Sequence, residues 1–495
     1  LKHMKKKIRL ISLLMAAVLL FTACGPAGGR AKQGLTDGIY EAEVESSASM
    51  FRVVHCELVV EDGKMTAVMA MSGEGYGYVY PGTAAEAEAA DESEYIPFER
   101  DSEGRKTFAF PIEKLDTEYE CAAYSIKKDT WYDRTLVFRL SSDGSEIGLT
   151  LKKRMKLDLA TQFSVDYYEG GYKYIKLGDG SRFLVVPEGM EKPEGLDSSI
   201  SVLQQPIENI YIAATSSMSL FDALGSLSSV SLSGTKEDGW YIENAKQAMH
   251  DGSIIYAGKY SEPDYELLLS KECPLAVESM MIGHAPDVRE KLEELGMVVL
   301  VDQSSNESHP LAKTEWIKLY AALLNKEDEA ERLFDEQMKY LSEVEKLEKT
   351  GKTAAFFYIS SAGNAVVRNS DDYISKMIEL AGGRYIFDDL EEGSGSATVT
   401  IEMEEFFSHA KDADYVFYNG AITGEVNSIE ELVQKNPLLK EFKAVQNGNV
   451  WCTTRNLYQE TTQLGEMIKS LRTVFTGEAD NLTELPYLYR LMPAD

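Results

Sequence analysis

Aromatic and polar side chains that could bind a small molecule follow the predicted strands in the later part of the chain. Tryptophan and tyrosine rings stack on flat ligands, and an arginine can pair with a carboxylate through two hydrogen bonds. In open α/β sheets a ligand binds beyond the carboxyl ends of the strands, so we predict a binding surface there. The residues at these positions are Ser216, Ser217, Met218, Trp240, Tyr241, Met280, Met281, His284, Ser304, Ser305, His309, Tyr358, Arg368, Tyr418, Asn419, Trp451, Tyr458 and Gln459.

The mixture of side chains favours a bulky ligand that is partly flat and partly anionic. Arg368 is the one clear cation in the set, and it is the residue that we most expect to contact the ligand. The alternative for Arg368 is a structural salt bridge. The alternative for every other member is packing within the framework or a surface loop.

Alternating strand and helix patterns place these residues in two predicted lobes. A connecting hairpin precedes the strands of the first lobe, residues 160–324, which are NIYIAA, SSVSLS, SIIYAG, LAVES and MVVLVD. The second lobe, residues 351–476, has the strands KTAAFFYIS, NAVVR, DYVFYNG and NVWCTT. Strands that alternate with helices are typical of largely parallel sheets. The tail, residues 477–495, has the pattern of a short helix.

Residues 325–350 have the pattern of one long helix that connects the two lobes. We interpret Asn325 as its N-cap, followed by acidic residues that the helix dipole favours, and Gly351 lies just past its end. At about 1.5 Å per residue the helix would be roughly 36 Å long. We predict a rigid rod; one more surface helix of a single large domain is the alternative. The apolar stripe at steps of three and four is Ala330, Leu333, Phe334, Met338, Leu341, Val344 and Leu347.

The earlier part of the chain, residues 36–155, has short alternating runs broken by Asp-Gly and similar turns, which predict a small antiparallel β-sandwich. Tyr76, Tyr78 and Tyr80 alternate, so one face of a strand would carry all three phenols. Phenols can ligate ferric iron or stack on a flat ligand, but they can also form an ordinary packed face. Cys56 and Cys121 fall in predicted strands, and the sequence is compatible either with a disulfide between them or with two buried free thiols.

Composition and motifs exclude several classes of function. The 495 residues include 81 acidic and 50 basic side chains, a formal net charge of −31, which argues against nucleic acid as a partner. We find no GxSxG, HExxH, Walker loop or GxGxxG motif, so we predict that the protein is not an enzyme.

A basic start followed by an apolar run, Ile8 to Phe21, leads into Phe21-Thr22-Ala23-Cys24. This segment resembles the lipobox of bacterial lipoproteins, whose cysteine becomes lipidated. The resemblance implies a signal peptide over residues 1–24, lipid on Cys24 and a linker over residues 25–35. It also implies anchoring at the extracellular face of the cytoplasmic membrane, in a Gram-positive-type envelope. A plain secretory signal is the alternative.

The two lobes, the long helix and the lipobox together resemble the helical-backbone (class III) solute-binding lipoproteins of ABC importers for iron–siderophores, haem and vitamin B12. The resemblance covers about residues 160–476. It implies an α/β fold of two Rossmann-like lobes joined by one long helix, here preceded by the small antiparallel β-sandwich. The sandwich is weakly similar to haem-binding near-transporter domains. The segments that carry the resemblance are SSMSLFDALGSLSSVSLSG, DYELLLSKECPLAVES, EKLEELGMVVLVD, EMEEFFSHAKDADYVFY and NPLLKEFKAVQNGNVWC.

The resemblance implies that the chain binds an iron complex or a corrinoid between its lobes, has no intrinsic cofactor and delivers its ligand to ABC permease subunits. Family members present one glutamate from each lobe to permease arginines, which by position are Glu266 and Glu404 here. The family's bare-metal branch uses imidazole and carboxylate ligands from both lobes. Because His409 lies inside a helical pattern, we favour a chelate over a bare ion at His284 and His309. A surface haem-relay protein that acts through the β domain is the alternative.

Overall fold

The computed structural model describes residues 35, 37–48, 50–101, 104–140, 147–389, 397–479 and 481–494. They form two compact units, with the boundary between residues 141 and 142. The predicted signal peptide and Cys24 lie outside the described residues. Within the described ranges, every helix is too short or too polar to cross a membrane.

Unit 1 is built from antiparallel strands around one hydrophobic core. Its first strand pairs with two neighbours: Gly38–Glu41 faces the second strand, and Ala42–Ser46 faces the last one. Because side chains alternate along each strand, one face packs into the core. A short helix, Ala84–Ala89, follows the fourth strand. The strands are Gly38–Ser46, Val53–Glu61, Lys64–Met71, Tyr76–Tyr80, Ile96–Pro97, Glu99–Arg100, Lys106–Ile112, Glu118–Ser125 and Thr130–Leu140.

Unit 2 begins with a five-strand array that we call the leading sheet. The sequence predicts only a hairpin here, but the chain adds strands on both sides of it, and the last pair is parallel. Phe163, Ile175 and Phe183 point into the large core of unit 2, so the leading sheet is part of that core. Its strands are Leu151–Arg154, Phe163–Tyr168, Lys173–Leu177, Arg182–Val186 and Ile200–Gln204.

Lobe 1 is a parallel five-stranded sheet with its helices. Its strand order is Ile255–Tyr256, Val230–Ser233, Ile210–Ile212, Leu275–Ser279 and Val298–Asp302. The chain order reverses between Ile210–Ile212 and Leu275–Ser279, and such a reversal opens a crevice at the carboxyl ends of the strands. Its helices are Thr215–Ala223, Glu243–His250, Tyr265–Ser270, Pro286–Glu294, Pro310–Glu315 and Ile317–Leu324.

Lobe 2 is a mixed sheet with three parallel strands at its centre, Thr353–Ile359, Tyr415–Tyr418 and Val450–Thr453. The predicted tail helix is wrong: the tail contains two short strands, because Leu488–Arg490 finds pairing partners along the exposed edge of Val450–Thr453. The other strands are Ala365–Arg368, Arg384–Tyr385, Thr398–Ile401, Glu484–Leu485 and Leu488–Arg490. The helices are Tyr373–Leu380, Met403–Ala410, Gly420–Thr423, Ile429–Lys435, Lys443–Gln446 and Leu464–Thr476.

One unbroken helix, Glu327–Glu345, connects the lobes, and we call it the backbone helix. The predicted α/β fold class with two lobes, a linking helix and a preceding β unit is therefore confirmed. The helix has 19 residues, which corresponds to about 28 Å rather than the predicted 36 Å. The predicted N-cap is wrong. Asn325 has left-handed dihedrals (φ 56°, ψ 47°) and ends the preceding helix, a conformation that asparagine tolerates better than most residues.

Side chains from the leading sheet hold this break between the two helices. The Lys173 ammonium donates to the Asn325 side-chain oxygen at 2.6 Å and contacts the Glu327 carboxylate at 2.6 Å. Gln205 donates to the same Asn325 oxygen at 3.1 Å and to the Leu323 carbonyl at 2.8 Å. The carbonyl groups at a helix end have no partners within the helix, so these side chains satisfy them.

Two buried carboxylates fix the segment that leads into lobe 1. Glu315 accepts backbone N–H groups from Asp158, Leu159 and Ala160 at 2.7–2.8 Å, and it lies 3.1 Å from the Lys318 ammonium. Burial raises the pKa of Glu315, although these partners oppose the shift. Glu307 accepts from the next two backbone N–H groups and from the indole of Trp316. A carboxylate with several donors is the arrangement that makes a buried charge tolerable.

The backbone helix and the helix Leu464–Thr476 approach each other closely at Gly465. A side-chain carbon at Gly465 would lie 2.5 Å from the Gln337 carbonyl oxygen. The Gln337 side chain accepts the N–H groups of Gly465 and Glu466, at 3.1 and 3.4 Å. This buried glutamine of the backbone helix therefore caps the start of the second helix.

Candidate functional site

Loops at the carboxyl ends of both sheets contact each other along a line that we call the seam. The side-chain oxygen of Gln459, in lobe 2, accepts the Tyr241 backbone N–H at 2.8 Å. The side-chain nitrogen of Gln459 donates to the Gly239 carbonyl at 2.8 Å. Arg455 donates to the Tyr241 hydroxyl at 3.1 Å. Loops at the strand ends of the two lobes therefore contact each other.

Thr461 continues the seam beside the helix that begins at the crevice of lobe 1. Its N–H donates to the Ser219 hydroxyl at 3.3 Å, and its hydroxyl donates to the Ser216 carbonyl at 3.4 Å. Thr314 donates to the Thr461 carbonyl at 2.7 Å. Arg455, Gln459 and Thr461 thus each contact lobe 1.

Arg368 lies buried beside the seam and is already paired. Its guanidinium donates to the Tyr458 hydroxyl and lies 3.6 Å from the Asp372 carboxylate. It also lies over the rings of Phe356 and Tyr458, at 6.0 and 5.1 Å from their centroids. Burial raises the pKa of Asp372, and the Arg368 charge opposes that shift. Arg368 thus makes a salt bridge of the kind that was its alternative, and its contact with a ligand stays a prediction.

A second buried cation, Lys313, lies on the lobe 1 side. Its ammonium donates to the Ser304 carbonyl at 3.1 Å and lies 4.8 Å from the centroid of the Tyr373 ring in lobe 2. Burial lowers the pKa of Lys313. The Asn419 amide donates to the Tyr458 hydroxyl at 2.8 Å, while its oxygen is buried with no partner among the described residues.

Several predicted binding residues are interior in this structure. The Ser217 hydroxyl donates to Asp302 at 2.8 Å, and Tyr320 donates to the same carboxylate at 2.6 Å. Ser217 is therefore fully buried, and its hydroxyl contacts both Asp302 and Tyr320. Four other predicted residues pack into the cores: Met218, Trp240, Tyr418 and Trp451. Large apolar and aromatic side chains gain most from burial.

The other predicted lobe 1 residues lie in separate places. Met281 and His284 are exposed on the short 3-10 helix Met280–His284, and Ser305 is exposed on the 3-10 helix Ser304–Asn306. His309 is half-buried, and its ring nitrogen accepts the Leu311 N–H at 3.1 Å, which caps a helix. Burial lowers the pKa of His309 to about 4, so the ring is neutral at pH 7.

The seam therefore brings together Tyr241, Arg368, Asn419, Tyr458 and Gln459 from the predicted set, and Tyr358 is half-buried in the strand that leads towards it. Sequence reasoning missed other members. Arg455 could have been found, because it follows the strand Val450–Thr453 by two residues. Lys313, Asp372 and Thr461 carry no such signal.

Glu278 is an unexpected buried acid at the carboxyl end of the strand Leu275–Ser279. Both of its carboxyl oxygens lack a hydrogen-bond partner among the described residues, and the side chain is fully buried. Burial raises its pKa to about 8. The sequence LAVES predicts only an apolar strand here.

The two glutamates that the resemblance implies for permease docking occupy matching places in the lobes. Glu266 lies in the first turn of Tyr265–Ser270, and Glu404 lies in the first turn of Met403–Ala410. Both are exposed, and neither makes a hydrogen bond or an ion pair within the described ranges. Their carboxylates are therefore available to a partner.

Unit 1 carries a row of aromatic side chains across three strands. Tyr78 is directly opposite Tyr124, which is directly opposite Trp131. The ring centroids are 6.1 and 5.3 Å apart, and Tyr95 packs 4.9 Å from Trp131. Among the three alternating tyrosines, Tyr76, Tyr78 and Tyr80, the exposed one is Tyr78, with 41% of its surface accessible to solvent.

The structure also shows the state of the cysteines in unit 1 and of the candidate metal ligands. Cys56 and Cys121 are buried free thiols, and burial raises the pKa of each to about 12. Among the described residues, no group of three or more His, Cys, Asp or Glu side chains is placed to hold a metal ion.

The geometry is that of two α/β lobes whose strand-end loops meet at the seam. The family model for periplasmic binding proteins matches residues 212–457. An uncharacterized lipoprotein of Methanocaldococcus jannaschii is 30% identical over 323 residues, which is 62% of this chain and 75% of the relative. A second uncharacterized lipoprotein of that organism is 24% identical over 342 residues, 66% of this chain and 84% of the relative. The chain belongs to the periplasmic binding protein family, which confirms the resemblance predicted from the sequence.

Solved structures match this chain at low sequence identity. A periplasmic haem-binding protein of Vibrio cholerae has 18% identity and a TM-score of 0.45, and the match covers 53% of this chain and 98% of that one. A periplasmic vitamin B12-binding protein of the same species has 17% identity and a TM-score of 0.41, with 55% and 97% covered.

Proposed function

We propose that this chain is an extracytoplasmic substrate-binding lipoprotein of an ABC importer. It binds an iron complex, either a siderophore or haem, or a corrinoid between its lobes and delivers it to the permease. The observation that carries the proposal is the meeting of strand-end loops from both sheets at one seam, with an unbroken backbone helix behind it. Membership of the periplasmic binding protein family and the lipoprotein names of the relatives support it.

The chemistry of the seam supports a flat ligand with acidic groups. Tyr241 and Tyr458 supply rings for stacking. Arg455 is about half-exposed, and its guanidinium lies 3.5 Å from Glu425, so it can exchange that surface partner for a ligand carboxylate.

Native mass spectrometry of the protein purified from its own host tests the proposal. We expect a bound iron chelate, haem or corrinoid, and a higher Tm when that compound is added back. Arg455→Ala should weaken binding about tenfold, because a charged hydrogen bond is lost. Arg384→Ala, which removes another exposed lobe 2 arginine, is the matched control. If no such compound copurifies and a panel of all three classes leaves the Tm unchanged, the proposed function is wrong.

Docking to the permease rests on Glu266 and Glu404. The double variant Glu266→Lys, Glu404→Lys should keep ligand affinity and lose most uptake in cells, because two complementary contacts become repulsive. A control with the same change in net charge replaces two other exposed helix glutamates, Glu290→Lys and Glu345→Lys. Uptake that falls equally in the control and the double variant would assign the loss to net charge alone.

The aromatic row of unit 1 favours a second candidate function, a surface haem-relay protein that acts through the β domain. Full-length protein with Tyr78→Ala and Trp131→Ala would separate the two functions. If haem absorbance follows these changes and ignores Arg455→Ala, the relay is favoured; the reverse pattern favours the seam.

A further inference from the structure

We propose that Gln459 is a latch that holds the two lobes together when no ligand is bound. The proposal rests on the proposed function, in which a ligand binds between the lobes. Gln459 is buried, and its amide makes two hydrogen bonds of 2.8 Å, both to the backbone of lobe 1. A ligand that enters the seam must first separate these groups.

The chemistry of the side chain explains why glutamine occupies this position. Gly239 offers a carbonyl acceptor, and Tyr241 offers an N–H donor two residues later. A primary amide has one acceptor and one donor side by side, so it matches both groups at once. A carboxylate of the same shape has two acceptors, and one of them would face the Gly239 carbonyl without a proton between them.

The turn that Gln459 contacts is held rigidly in place. Trp240, between the two contacted residues, is fully buried in lobe 1, and its indole donates to the Ser233 hydroxyl at 3.1 Å. The ring therefore anchors the turn while the backbone on either side faces lobe 2. Because the turn is already fixed in place, Gln459 can bind to it without a further loss of conformational entropy in the turn.

Neighbouring contacts on the same segment act with the latch. Arg455 reaches the Tyr241 hydroxyl, and Thr461 contacts Ser216 and Ser219. Thr461 contacts lobe 1 through its backbone N–H and carbonyl as well as its hydroxyl, whereas Gln459 makes both of its 2.8 Å bonds with the side chain alone. The two hydrogen bonds of Gln459 are therefore the pair that a single side-chain substitution removes, and we expect their loss to open the seam.

Hydrogen exchange of the Tyr241 amide measures the contact, and a distance between labels measures the opening. The variants are Gln459→Glu, which keeps the shape and removes the donor, and Gln459→Ala, which removes the side chain. Gln446→Ala, an exposed glutamine of lobe 2, is the control. Spin labels at exposed Lys246 and Gln434 report the separation of the lobes, because the four described native cysteines are buried.

Without ligand, we expect exchange of the Tyr241 amide to become about tenfold faster or more in both variants. We also expect the distance distribution to shift to longer values, with no change in the control. Faster exchange at an unchanged distance would overturn the latch and leave Gln459 as a packing contact. Unchanged exchange would overturn it as well. Neither measurement involves a ligand, so a wrong ligand assignment does not affect the outcome.

Discussion

Replacing Glu278 with glutamine should remove a large pH dependence from the stability of unit 2. The carboxyl group is fully buried, lacks partners for both oxygens among the described residues, and has a pKa raised from 4.5 to about 8 by burial. The folded state therefore holds this proton at a pH where the unfolded chain has lost it. The contribution of Glu278 to the free energy of unfolding is therefore largest below about pH 4.5. It falls as the pH rises and levels off above about pH 8.

The size of the effect follows from the shift in pKa. A rise from 4.5 to about 8, at 1.36 kcal/mol per pH unit, corresponds to a loss on the order of 5 kcal/mol across that range. Glu278→Gln has nearly the same shape and cannot ionise. At pH 9 the variant should therefore be several kcal/mol more stable than the wild type, and at pH 4 the two should differ little.

Urea unfolding followed by tryptophan fluorescence at pH 5, 7 and 9 measures this difference. A Trp131→Phe background removes the tryptophan of unit 1, so the remaining signal reports unit 2. Glu290→Gln, at an exposed site, is the control and should track the wild type. The reasoning fails if the stability gap between Glu278→Gln and the wild type changes by less than about 1 kcal/mol from pH 5 to pH 9.

Three further substitutions test packing and buried charge. Gly465→Ala should destabilise unit 2 by about 1–3 kcal/mol in thermal unfolding, because the added carbon meets backbone, whereas Gly283→Ala enters open space and should be neutral. Glu315→Gln should lower the free energy of unfolding in urea by about 3–5 kcal/mol, because the buried Lys318 charge loses a partner. A decrease below about 1 kcal/mol would contradict the role given to this carboxylate. Asn325→Ala should be less stable than Asn325→Gly by about 1 kcal/mol, since glycine accepts the positive φ; equal stabilities would argue against strain there.

The backbone helix shows what the sequence could predict and where it could not. Apolar residues at steps of three and four predict one unbroken helix, because that spacing places them on one face. Its start was misplaced because Asn325 suits an N-cap and a left-handed helix end about equally well. The choice between them depends on Lys173 and Gln205, which are more than 100 residues away in the sequence.

The meeting of strand ends from the two lobes was predictable from the sequence, but the contacts made there were not. Strand patterns place Trp240, Tyr241 and Gln459 at strand ends, yet they do not show which group faces the seam. The Trp240 ring turns inward, and its neighbours' backbone groups make the contact. Buried charges such as Glu278 and Lys313 were missed because charge is visible in a sequence, whereas burial is decided by distant segments that cover the side chain.

The four cysteines that the structure describes are all buried thiols, and none is cross-linked. Desolvation keeps them protonated, which makes them poor nucleophiles towards oxidants and disulfides. The described units are therefore stabilised by packing, hydrogen bonds and ion pairs rather than by disulfides. We expect the folded protein to be indifferent to the redox potential of its surroundings, so that it keeps the same midpoint of unfolding with and without a reducing agent.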